Sequence, residues 1–75
     1  MKTKYEIIES HSGTTHGEIR KAKSIFLEGV KKGIHVNPGC VGIVFTDSNY
    51  SVNAKFYCNY SGEYLNSVEI KNYRP

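Results

Sequence analysis

Chemistry in a small chain is sought first at its thiols and imidazoles, and here they are few: Cys40, Cys58, His11, His16 and His35. A nucleophilic cysteine needs an imidazole within hydrogen-bond reach, a third group to orient that ring and a pocket that excludes water. His35 is near Cys40 in sequence, but no third group is apparent, and both cysteines fall in apolar stretches that read as strand interiors. They are expected to be small buried hydrophobes, and no enzyme activity is expected.

The same residues make a poor metal site. Seventeen residues lie between the cysteines, which matches no zinc spacing. His11 and His16 start in a loop and do not share a helix face, while a helix from His16 holds His35 more than ~20 Å away at 1.5 Å per residue. No metal and no cofactor is expected.

Two other constellations could bind rather than react. The first is the loop SHSGTTHG, Ser10 to Gly17, in which Ser12, Gly13, Thr14, Thr15 and His16 offer hydroxyls, amides and an imidazole where an anion could sit at a helix start. It is neither a Walker loop nor a GxGxxG fingerprint. Thr15 and Glu18 also form a capping-box pattern that fills part of that helix terminus. The second is a set of basic and aromatic residues, Lys55, Tyr57, Lys71 and Tyr73, which strand alternation puts on one side of two late strands. Aromatic faces stack unpaired bases at about 1–3 kcal/mol each and cations follow phosphates; tyrosine is equally enriched at protein interfaces.

The elements that position these groups follow from periodicity. KYEIIES, from Lys4, reads as a strand with Tyr5 and Ile7 on one side and Ile8 on the other. A helix starts at His16, and Ile19, Ala22, Ile25, Phe26 and Val30 form its apolar stripe with Leu27 at the margin. Its other side carries Arg20, Lys21, Glu28, Lys31 and Lys32, with Lys23 near the apolar edge and Gly33 as the C-terminal cap. Past an Asn-Pro-Gly turn, three strands follow with short connections. Val41, Ile43 and Phe45 share a face, as do Tyr50, Val52, Ala54, Phe56 and Cys58, and then Tyr64, Val68 and Ile70.

One α+β domain over residues 1–75 is therefore expected: β-α-β-β-β, a helix packed across one face of a small antiparallel sheet. In the order of its elements this resembles the helix-on-curved-sheet arrangement of cystatin-like domains, although the cystatin inhibitory hairpin motif has no equivalent here. A chain of 75 residues buries only about three-fifths of its unfolded surface. A homodimer is one way to supply the missing burial.

The net charge of +3 favours solubility and does not by itself diagnose nucleic-acid binding. The opening MKTKYEIIES has only a two-residue apolar run, so neither secretion nor a membrane span is expected and the cytoplasm is the expected location. In an oxidising compartment the cysteines could pair and both Asn-Tyr-Ser tripeptides could accept glycans.

The leading expectation is a non-enzymatic binding or regulatory module acting through a protein–protein interface, with a protein partner or a second copy. Sequence-tolerant binding of single-stranded nucleic acid on the outer sheet face is the alternative. A small anionic ligand at the Ser10–Gly17 loop comes third. Replacing Thr15 by alanine is expected to cost about 1 kcal/mol through loss of the cap, read by urea denaturation. Loss of anion binding at unchanged stability would instead make the loop a site.

Overall fold

In the computed structural model residues 3–9, 16–48 and 50–72 are described. They form β1 (Lys4–Glu9), α1 (His16–Lys31), β2 (Cys40–Asp47), β3 (Ser51–Cys58) and β4 (Tyr64–Asn72). The strands lie side by side in chain order in one four-stranded sheet. The α+β class and the element order are as the sequence implies.

The sheet is mixed, not antiparallel throughout. β2, β3 and β4 form the expected antiparallel meander, but β1 runs parallel to β2, from Lys4 opposite Cys40 to Ile7 opposite Ile43. A single helix between two strands is what makes this possible. Sixteen residues of α1 span about 24 Å at 1.5 Å per residue, enough to carry the chain back to the end of the sheet where β1 began. The Asn37–Gly39 turn fixes the return: Asn37 Oδ1 accepts from Gly39 N (3.0 Å), its Nδ2 donates to Thr3 Oγ1 (2.7 Å), and Lys4 N donates to the Gly39 carbonyl (2.8 Å). Both strands thus start from one pinned point.

The helix begins at His16, the first residue described after the loop, and closes as its sequence implies. Gly33 has φ of 74°, its N–H reaches Val30 O (3.1 Å), and Ile34 N–H reaches Gly29 O (2.9 Å). These paired bonds satisfy carbonyls that the helix end leaves open, and the positive φ favours glycine.

The core lies between α1 and the face of the sheet that carries Val41, Ile43, Phe45, Val52, Ala54, Phe56 and Ile70, against which Ala22 and Phe26 are fully buried. Ile19, Ile25 and Val30 pack at its margin. Two tyrosines assigned inward by alternation are not there. Tyr50 precedes β3 and is 63 % exposed, because Ser48 Oγ accepts from the N–H groups of Tyr50 and Ser51 (3.3 and 3.1 Å) and holds a turn. Tyr64 is 53 % exposed, for a reason found in the register of β4.

Phe26 is the centre of the core. Tyr5 meets it edge-on at 6.2 Å, Phe56 lies at 4.8 Å, and His35 stacks on it at 4.3 Å. The His35 ring fits only because residue 29 is glycine: a Cβ there would stand 2.5 Å from Nε2 and 3.1 Å from Cδ2. Nε2 is buried without a hydrogen-bond partner, while Nδ1 lies 3.2 Å from the Val36 carbonyl. The Tyr5 hydroxyl is likewise buried and unpartnered, and burial pushes its pKa up, with the nearby Thr3 hydroxyl opposing the shift.

Gly29→Ala should gain about 1 kcal/mol of helix propensity and lose about 1–3 kcal/mol to overpacking against His35, so it should destabilise on balance. In a His35→Ala background the same change should stabilise. Thermal denaturation of the four chains reads this as a coupling between the two positions, and strict additivity would refute the contact.

Candidate interaction surface

The face of the sheet away from α1 is built by register. Residues directly opposite one another share a face, so Glu6, Gly42, Tyr57 and Tyr64 form one row across all four strands. Glu9, Val44, Lys55 and Ser67 form the next. Thr46, Asn53 and Glu69 form a third. The Tyr57 and Tyr64 rings meet edge to face at 5.7 Å and 67°.

Three bulges decide which residues appear here. Between Phe56 and Tyr57 the pairing jumps from Asn66 to Tyr64, so Leu65 is the extra residue. It packs against the core and Tyr64 turns to the outer face, which is why simple alternation misplaces that tyrosine. A second jump, between Val52 and Asn53, makes Ile70 the extra residue. Ile70 is buried in the core and Lys71 stands opposite Val52, on the helix-side register. A third lies in β1 between Ile7 and Glu9. Ile8 there lies over Gly42 on the outer face, where a Cβ on residue 42 would run into its Cδ1 methyl, and Ile8 is 50 % exposed.

Of the four residues first assigned to this face, Lys55 and Tyr57 come together in adjacent rows. Lys71 is shifted off their register by the Ile70 bulge, and Tyr73 lies outside the described residues. In their place stand Tyr64, Ile8 and Val44. The sequence held one signal for this arrangement, a glycine at position 42 in mid-strand, which marks close approach of another group.

The charge of the face also differs from that of the chain. Among its described residues Lys4 and Lys55 are opposed by Glu6, Glu9 and Glu69, a net charge of −1 against +3 for the whole sequence. Asn59 Nδ2 donates to Glu6 Oε2 (2.6 Å) and reaches Cys40 Sγ (3.4 Å), tying the end of β3 across β2 to β1. The second Asn-Tyr-Ser tripeptide, Asn59 to Ser61, forms the turn after β3, while Asn49 of the first lies outside the described residues.

Arg20, Lys21, Lys31 and Lys32 are exposed along α1, while Lys23 is half-buried with Nζ 5.2 Å from the centre of the Tyr5 ring. Ser12, Gly13, Thr14 and Thr15 lie outside the described residues, and His16 is the exposed first residue of α1. Among the described residues no cavity is found, no three His, Cys, Asp or Glu side chains cluster for a metal, and no helix is long and apolar enough to cross a membrane.

The cysteines are half-buried rather than interior, because both sit at one end of the sheet. Cys58 falls on the helix-side register with Val41 and Cys40 on the outer one with Lys4, so their Cβ vectors diverge and they do not form a disulfide. Hydrogen bonds from the Ser61 hydroxyl, then from the Ser61 and Tyr60 amides, hold the Cys58 thiol below its usual pKa, against small opposing effects of burial and Glu63.

Compared with protein-family models, curated proteins and solved structures, the chain matches none of them.

A lowered pKa raises the thiolate fraction at neutral pH, so Cys58 should alkylate with iodoacetamide faster than Cys40. Ser61→Ala should slow it and move the midpoint of its pH–rate curve upward. Equal rates for the two thiols, followed by mass spectrometry, would contradict the assignment.

Proposed function

We propose that this protein is a small non-enzymatic binding module that presents the outer sheet face to a protein partner. The observation that carries the reading is the band formed by Ile8 over Gly42 together with Tyr57 and Tyr64, apolar and aromatic, on a face over which the described residues lay no second layer. Tyrosine supplies contact area at low entropic cost, and a band of this kind rimmed by charge suits a protein surface.

Nucleic acid is the weaker reading of the same face. With Lys71 off the register, Lys55 is the cation in the row next to the tyrosine pair, and Glu6, Glu9 and Glu69 outnumber Lys55 and Lys4 on the face. Phosphates are repelled by such a rim.

A photo-crosslinking amino acid placed at Ser67, exposed on the outer face, should yield protein adducts in producing cells, whereas one at Ser24, exposed on α1, should not. Equal capture at both positions would remove the face from consideration. Tight binding of a labelled mixed-sequence single strand that weakens steeply with salt would replace the protein reading by the nucleic-acid one.

A further inference from the structure

We infer that the partner of the outer face is a second copy of this chain, packed face to face about a two-fold axis parallel to the strands. The inference rests on the reading of that face as a protein interface and adds the occupant and its register.

The two halves of the face complement each other. The β3–β4 half is raised by the Tyr57–Tyr64 pair and carries Lys55 in the adjacent row. The β1–β2 half is apolar where the Ile8 side chain fills the space over Gly42, and carries Glu6 and Glu9. A two-fold axis between β2 and β3 lays each half on the other. Tyr57 then faces the partner's Ile8 where it lies over the partner's Gly42, and Lys55 stands over the partner's Val44 beside the partner's Glu9. Aromatic ring meets aliphatic side chain and cation meets carboxylate, twice over, as an isologous contact requires.

Size and edges point the same way. Four strands about 4.8 Å apart and about eight residues long make a face of about 500 Å². Two such faces reach the ~1,000 Å² that a specific interface needs, and sheets stack in this way about 10 Å apart with strands nearly aligned. Pairing through an edge strand is the other route to a dimer, and both edges are bulged: β1 once and β4 twice. Bulges disrupt the ladder that a second strand would extend.

The test is sedimentation equilibrium of the purified full chain from low micromolar to submillimolar concentration. A dimer is expected, with Lys55→Glu and Glu9→Lys each weakening it about tenfold or more, as close charge pairs at interfaces do. The double variant, with both charges exchanged, should recover most of the loss. Both positions are exposed, so the fold tolerates the changes, and circular dichroism verifies it. A wild-type monomer at every concentration overturns the second copy; adducts of a different protein at Ser67 would then leave the interface reading standing, and absence of adducts would remove both. A dimer indifferent to either charge reversal, or one that the double exchange fails to rescue, overturns this register.

Discussion

Phe26 is the side chain on which the rest of this structure depends. It comes from the helix, yet its ring touches Tyr5 of β1, Phe56 of β3 and His35 of the segment leading into β2. Three parts of the chain that are distant in sequence are thereby registered on one aromatic group. Among the described residues the core holds nine buried apolar ones, so a loss at Phe26 has few neighbours to absorb it. Gly29 belongs to the same arrangement, since its missing side chain is the space in which His35 lies flat.

Among the described residues one helix covers one face of the sheet, and the bulges determine what the other presents. In an unbroken strand, period two would send Tyr64 inward and Lys71 outward. The bulges at Leu65 and Ile70 invert both assignments, placing Tyr64 beside Tyr57 with Leu65 packed on the core, and moving Lys71 to the helix-side register. The aromatic pair on the open face and the apolar closure of the core at β4 are two results of the same local geometry. The β1 bulge acts similarly by setting Ile8 over Gly42.

Most of the fold could be read in the sequence because most of it is set by local pattern. The Thr15–Glu18 capping pattern placed the helix start, Gly33 its end, and alternation the three strands of the meander to within a residue of their observed bounds. What escaped was of two kinds. The parallel pairing of β1 depends on how a crossover returns, although one helix between two strands was a usable sign of it. The membership of the outer face depends on extra residues whose positions leave no mark in hydrophobic periodicity; Leu65 and Ile70 look like ordinary strand residues. Of the face first drawn, Lys55 and Tyr57 remain together, since the extra residues belong to β4 and β3 keeps its alternation.

The parallel pairing of β1 also imposes an order on assembly. Residues of β2, β3 and β4 meet across short turns, whereas Lys4 must find Cys40 across the whole crossover. Closing a loop about seven times longer costs about 1.7 kcal/mol more in chain entropy. The first of these four strands in chain order is therefore the last to be placed, and it docks on a sheet whose remaining three strands are already joined. The N-terminal strand is the part of this sheet held by the fewest local contacts, and the one through which the fold opens first.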